Sequence, residues 1–571
     1  MKKKELSIGL VALVAAAVVL YLIFSGNKLK NAIVFPYIGH QKPVVDPHLP
    51  DANPLSDKLD EVEFDGLFNV SSNPSGIVYE DGLGSLVGID ANDVVSIKLK
   101  KNVKWADSYK ISSKDDEVKI LPKKPDYFTA EDLSFTLNRI QSLGSLSPDY
   151  ILIAQALKTI GFQGPDKNGI IKFQFKHDRI WKESDIKEVL SFKILPKTAD
   201  INALNYYDGT GPYFAVPQKS GVANYYKNPE KNAFIPYVKL KPFIDNSTFI
   251  TELKNNNINV LLESPFGAVS PVLDKNKDFF AKPGISTTFF GILFNAKRLN
   301  LKQREALRAF LNRDKILSRF YKIGTPQQRD IIDYKGNRNK FNALENFSVF
   351  PSSSYYVEEK IVQPEPDNVN ADLQYLPDSI KIGVCLNFGF REEYNALINI
   401  LNSSEISQGK IQAKAISNDE IKKQNYDALL IAFTGYRSNF LFDLYDVFMR
   451  EPDLSARKIN LTTDKNGNLV PASITGDKNF FALDVSKVGK KSDIGKLFQY
   501  VYGFMSTHEI GDKQAYAERV DQLEHKLALG KWLFSLPTLS YFSSQFDSTS
   551  INLYGVASQL STIEKWKEAK K

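Results

Sequence analysis

The chain has 571 residues, 43% hydrophobic and 24% charged, enough for several cores and, at ~100–200 residues per domain, for two to four lobes. Its 73 basic and 66 acidic residues leave a net charge of +7, too weak an excess for a nucleic-acid footprint, and much of it sits in the Lys-rich ends MKKK and KWKEAKK. Cys385 is the single cysteine, which excludes an internal disulfide and a thiolate metal cluster, and within IKIGVCLNF it reads as an inert core residue.

The first predicted element is an uncharged run of 19 residues, LSIGLVALVAAAVVLYLIF, from Leu6 to Phe24. At ~1.5 Å per residue a helix of that length crosses a ~30 Å hydrocarbon core, with Leu6, Leu10, Leu13, Val18, Leu22 and Phe24 among its lipid-facing side chains. Lys2, Lys3, Lys4 and the amino terminus outweigh Lys28 and Lys30, so the positive-inside rule puts the N-terminus in the cytoplasm and the body outside. A cleaved signal peptide is the alternative. The run is longer than a usual signal core, and its small residues, Ala15 to Ala17, are followed by more apolar sequence, VVLYLIF; both features favour a retained single-pass anchor over residues 1–28. No cysteine follows the run to carry a lipid.

Residues 26 to 62 read as a tether rich in Pro, Asp and His, holding one strand, Ala32 to Ile38. VVSIKLKKNVKW, 94–105, alternates in part like a half-buried strand, and the polar, proline-marked 108–127 reads as a surface insertion. FTAEDLSFTLNRI, 128–140, raises a choice. Glu131 and Asp132 are either an acid/base pair or a helix start. With Thr129 as N-cap, Asp132 falls at the third helical position, where its carboxylate reaches back to the Thr129 N–H. A general acid needs its pKa raised, whereas a helix N-terminus lowers it, so the spacing predicts a helix start.

YYDGTGPYF, 206–214, lacks the Lys-Ser or Lys-Thr of a phosphate cradle and reads as a turn entering a strand. LNLKQREALRAFLNRDKILSRF places Leu307, Phe310, Leu311, Leu317 and Phe320 on one helical stripe. AYAERVDQLEHKLALGKWLF does the same with Tyr516, Val520, Leu523 and Leu527. Between them, IKIGVCLNF, REEYNALINIL, KIQAKAI and DALLIAF alternate strand, helix, strand and, after a short capped helix at Ser417–Asn418, strand. That order predicts a βαβαβ unit with a parallel sheet. Ligands of such sheets bind beyond the carboxyl ends of strands, so the segment leaving Thr434, TGYRSNFLFDLYDVF, is the first place to seek a site.

His40, His48, His177, His508 and His525 have no zinc-like spacing, and no nucleophile elbow, P-loop, HExxH or GxGxxG is present. No enzyme, catalytic residue, metal site or cofactor is expected.

Five ordered segments resemble the family 5 extracellular solute-binding proteins, the oligopeptide- and dipeptide-binding group of ABC importers. They are LKKNVKWADS with FTAEDL, the GTGPY turn at 209–213, NYYKNPEKNAFIPYVKLKPF, FGILFNAKRLNLKQREALRAFLNRDKIL, and YAERVDQLEHKLALGKWLFSLPTLSYF. The resemblance spans roughly residues 45 to 556. The resemblance implies a two-lobed α/β fold of the periplasmic-binding-protein type (type II) with an extra subdomain in the first lobe. The implied extents are 30–292 for the first lobe, with the insertion at about 63–189, 293–515 for the second, and 516–571 for a return to the first. It further implies a monomer that takes a peptide or similar polar solute, partners ABC permease subunits and binds no nucleic acid. A membrane-tethered sensor or a chaperone-like module with the same cleft is the alternative.

The pattern departs from the family in two places. Ser108 stands where a glycine is usual. Peptide binders commonly follow the DALLIAF-like strand with an aromatic and an acidic residue for the peptide ammonium. Here Tyr436 is followed by Arg437, Ser438 and Asn439, and no carboxylate appears before Asp443. The expected ligand contacts are Tyr436, Arg437 and Asn439, with Phe68, in the loop after FDGLF, as a wall from the other lobe. Arg437 suits an anionic group or a carboxylate.

Overall fold

The computed structural model describes residues 31–38, 43–49, 54–73, 76–114, 117–177, 180–203, 205–216, 224–243, 251–264, 273, 277–323, 345–350, 372–386, 391–434, 444–454, 461–463, 469–471, 477–506, 510–551, 553 and 560–570. The expected anchor, with Leu6, Leu10, Leu13, Val18, Leu22 and Phe24, lies outside them. Among the described residues no helix is long and apolar enough to cross a membrane.

The first lobe opens on β1 (Ala32–Ile38), as the sequence predicts. Its apolar run AIVF is buried on both sides, and it pairs in parallel with β11. On its free edge the Asn259 side chain acts as a strand would: its Oδ1 accepts from Val34 N–H and its Nδ2 donates to the Ala32 carbonyl, both at 2.7 Å. One side chain thereby satisfies two backbone groups that burial would otherwise penalise. Helix α1 (Pro54–Glu63) follows.

The chain then builds a subdomain. It contains hairpin β2 (Phe68–Asn73) and β3 (Gly76–Asp81), then β4 (Gly84–Ile89) and β5 (Val94–Leu99), then hairpin β6 (Tyr109–Lys114) and β7 (Glu117–Pro122). Helices α2 (Ala130–Leu143) and α3 (Pro148–Ala156), strand β8 (Ile170–Gln174) and helix α4 (Glu183–Val189) complete it. Strand β5 sits between β4 and β8, antiparallel to both. Its core holds Trp105, Leu133, Leu137, Ile140 and Phe173. The expected surface insertion at 108–127 takes the form of the β6–β7 hairpin. Tyr109, Ile111 and Ile120 recur with strand periodicity and pack on Phe214.

Strands β9 (Tyr213–Val216), β10 (Asn224–Lys227) and β11 (Tyr237–Phe243) complete a four-stranded sheet in the order β1-β11-β10-β9. Strand β12 (Val260–Ser264) and the 16-residue β13 (Phe279–Phe294) lead out of this lobe.

In the second lobe come α5 (Leu301–Phe310) and α6 (Arg313–Ile323), where the stripe predicts one helix. The break is at Leu311, in extended conformation, and at Asn312, whose side chain accepts from Lys315 N–H at 2.9 Å and starts the next helix. The predicted βαβαβ unit is present as β14 (Ile380–Val384), α7 (Arg391–Asn402), β15 (Ile411–Ala415), α8 (Asn418–Lys422) and β16 (Ala428–Thr434). β14 pairs in parallel with both β15 and β16. A small hairpin, β17 (Leu461–Thr463) and β18 (Leu469–Pro471), precedes α9 (Asp493–Ser506) and α10 (Ile510–Leu527). Strand β19 (Gly530–Ser543) then begins at a glycine inside the span the sequence assigned to a helix, and α10 ends at Leu527.

β13 and β19 are antiparallel and join the lobes. Their inner ends, Gly291 with Trp532, lie in a six-stranded sheet of order β12-β19-β13-β16-β14-β15. Their outer ends, Phe280 with Phe542, meet the first-lobe core, where Phe542, Phe546 and Trp566 pack with Phe35 and Tyr213. The register breaks between Ile285 and Phe289, where β13 advances four residues against two on β19, Pro537 to Ser535. Such a break bends the ladder, and it sits between the two lobes.

Candidate functional site

The residues quoted for the resemblance come together in two places. In the first lobe, Trp105 N–H donates to the Asp126 carbonyl at 3.1 Å and Phe128 N–H to the Val103 carbonyl at 2.8 Å. The Trp105 and Phe128 rings meet edge to face, centroids 6.4 Å apart. Thr129 N–H donates to Asp132 Oδ2 at 2.7 Å, the reach-back the spacing predicts, and Lys197 N–H donates to Asp132 Oδ1 at 2.8 Å. Glu131 pairs with Lys197 on the surface, and that hydrogen bond lowers its pKa. Glu131 therefore lacks the raised pKa of a general acid.

The GTGPY turn closes the same region. Ala106 N–H donates to the Gly209 carbonyl at 3.1 Å, Gly211 N–H to the Glu63 carbonyl at 3.0 Å, and Asp107 N–H to Asp208 Oδ1 at 2.9 Å. A Cβ on Gly209 would lie 1.8 Å from the Glu63 carbonyl oxygen, so the glycine permits a close backbone approach at the end of α1. Burial raises the Asp208 pKa to about 7; the hydrogen bond from Asp107 opposes this, and the negative charges of Asp107, Asp126 and Asp132 add to it. Sequence reading passed over Asp208, whose only signal is its place beside two glycines.

In the second lobe, Asn295 is buried and donates to the Gln424 and Tyr426 carbonyls at 3.1 and 3.0 Å, tying the end of β13 to the start of β16. Arg304 donates to the Leu527 and Ala528 carbonyls, Arg308 to the Gly530 carbonyl at 2.6 Å, and Arg313 to the Trp532 carbonyl at 2.8 Å. Three guanidinium groups thus satisfy the open carbonyls where α10 ends and β19 begins. Arg308 also pairs with the fully buried Glu524. Burial, helped by the neighbouring Arg308 charge, lowers Arg304 to about 10, so it stays cationic at neutral pH. These motifs therefore hold the fold.

The ligand-contacting side chains expected from the sequence are distributed differently. Tyr436, Arg437 and Asn439 lie outside the described residues, which stop at Thr434 and resume at Leu444. Thr434 is opposite Thr288, inside the register break between the lobes. Beneath that exit Phe289, Phe433 and Trp532 form an aromatic group with centroids 5.4 to 6.5 Å apart. The structure corrects the placement of Phe68. It is not in a loop: it opens β2 opposite Asp81, is fully buried in the subdomain core, and has Lys187 Nζ 5.6 Å from its ring centroid. Among the described residues no group of His, Cys, Asp and Glu is arranged to hold a metal.

Comparison with solved structures is now decisive for the fold. NikZ of Campylobacter jejuni, solved with Ni(L-His), superposes with a TM-score of 0.59 at 16% identity, covering 94% of this chain and all of its own. The oligopeptide-binding protein AppA of Bacillus subtilis, in complex with a nonapeptide, gives 0.54 at 17%, covering 94% and 99%. DppA of Helicobacter pylori, an ABC transporter-associated periplasmic binding protein holding the peptide STSA, gives 0.60 at 14%, covering 94% and 98%. The chain has the fold of the solute-binding proteins. No family model matches it, and no curated protein matches its sequence. At these identities the shared property is the two-lobed solute-binding fold.

Proposed function

We propose that this chain is the extracytoplasmic solute-binding protein of an ABC importer, capturing a peptide or similar polar solute between its lobes. In this reading 30–292 forms the first lobe with its subdomain, 293–515 the second, and the chain from 516 leads back along β19. Residues 6–24 tether the body to the outer face of a cell membrane, where it meets permease subunits. Tyr436 walls the ligand, and Arg437 and Asn439 supply polar contacts.

The observation that carries the reading is the match over 94% of the chain to solute-binding structures, two of them holding peptides and one a nickel–histidine complex. The place where the Tyr436 segment leaves the sheet adds to it. A segment that starts between two bodies can touch a solute held by both, and ligand then favours the closed state through contacts the open state lacks. The cationic Arg437 favours a solute with a carboxylate or another anionic group.

The test is a thermal-shift screen of the soluble body with peptides of two to nine residues, free amino acids and metal–amino-acid complexes, followed by scattering with any hit. A stabilising hit is expected, with the ligand-bound protein in the compact form. No shift from any member, together with no small molecule released by mass spectrometry from natively purified protein, would sink the importer reading.

A further inference from the structure

Helix α3, PDYILIAQA, carries apolar residues on nearly every side, unlike an ordinary surface helix with one polar face. At about 100° per residue, Tyr150, Ile153, Ala156 and Leu152 follow one another round an arc of roughly 160°. Ile153 and Ala156, in the middle of the arc, are buried in the subdomain core. Tyr150 and Leu152, at its margins, are half-buried, and both pack against that core and against the second-lobe core of Phe289, Phe433, Phe504 and Trp532. The helix also lies alongside β18, which in turn lies against α9 of the second lobe. The two lobes therefore touch through the chain's own side chains, without using Tyr436, Arg437 or Asn439.

We infer that α3 is an interlobe strap: Tyr150 and Leu152 hold the second lobe against the inserted subdomain and keep the cleft closed when no solute is bound. Opening exposes the apolar surface that Tyr150 and Leu152 bury against the second lobe, so closure is favoured before ligand arrives. Solute must then wait for the strap to release, which slows entry. The inference adds a resting state to the proposed function and stands on geometry that needs no ligand.

The test is small-angle scattering of the full chain after dialysis to remove solute. The wild type is expected to scatter as the closed form, and the pair Tyr150→Ala with Leu152→Ser to show a larger radius of gyration. Ile153→Ala, which touches only the subdomain core, should lower Tm and leave the radius unchanged, separating loss of packing from loss of the strap. If the pair fails to fold by far-ultraviolet circular dichroism, Leu152→Ala alone carries the same comparison. A wild type already open, or strap variants with the wild-type radius, overturns the inference. Ligand screening is read independently, so a strap without importer activity and an importer without a strap give different results.

Discussion

Thr434 and Thr288 face each other across β16 and β13 at the point where β13 loses register with β19. One residue further on, the chain enters the segment holding Tyr436, Arg437 and Asn439. The described part of β16 thus ends at the junction of the lobes, where the segment proposed to contact the ligand begins.

Replacement of residues in this segment should affect ligand and spare the fold. Arg437→Ala is expected to weaken a carboxylate-bearing solute about ten- to hundred-fold, the worth of one charge-assisted hydrogen bond. Tyr436→Ala should also weaken it, with Tm of the empty protein unchanged. Calorimetric titration of both variants with a screening hit decides the matter; wild-type affinity in either removes that residue from the site.

Asp208 gives a pH prediction. Its carboxyl is held at about 7 by burial, against about 3.9 in an unfolded chain. Between those values the folded state binds a proton that the unfolded state has released, so stability falls as pH rises from about 4 to about 7. Asp208→Asn keeps an oxygen to accept from Asp107 N–H and removes the charge. Its stability relative to wild type should therefore grow as pH rises through this window, in denaturant titrations at pH 5 and pH 8. An identical difference at the two pH values would show that Asp208 is ionised throughout.

Local signals were legible in the sequence and long-range ones were not. The Thr129–Asp132 cap, β1 and the βαβαβ unit depend on residues a few positions apart, and their spacing predicted them. The α5–α6 break escaped because Leu307, Phe310, Leu317 and Phe320 keep one apolar stripe across it, leaving Asn312 as the only sign. The β6–β7 hairpin was hidden by its lysines, although Ile111 and Ile120 sit opposite each other. Phe68 was misplaced because FDGLF reads as a turn, while its partner Asp81 lies thirteen residues further along the chain. The roles of Arg304, Arg308 and Arg313 required knowing that the carbonyls at Leu527 to Trp532 lie beside them, over two hundred positions later in the chain.

The Arg308–Glu524 pair should be costly to break from one side. Both side chains are buried, and Glu524 has no exposed surface. Arg308→Met removes the cation, the donor to Gly530 and the partner of a buried carboxylate, so about 3–5 kcal/mol of stability should go. Adding Glu524→Gln should restore part of that loss. Urea unfolding of the two single variants and the double variant gives the coupling; additive losses would mean that the two side chains act independently.

Gly209 tests whether the GTGPY turn is a fastening or a ligand element. Its backbone meets the end of α1 so closely that any Cβ would lie 1.8 Å from the Glu63 carbonyl oxygen and 2.7 Å from the carbonyl carbon. These are backbone atoms at a helix terminus, so they cannot rotate aside as a side chain would. Gly209→Ala must push the turn off α1, straining the bonds from Gly211 to Glu63 and from Ala106 to Gly209, at a cost of about 1–3 kcal/mol or more. The same displacement moves Asp208 away from Asp107 and lets water reach its carboxylate, so the pH dependence between about 4 and 7 should shrink in parallel. Thermal unfolding of Gly209→Ala at pH 5 and pH 8 reads both effects. A variant with wild-type Tm and altered ligand affinity would mean that the turn faces the solute.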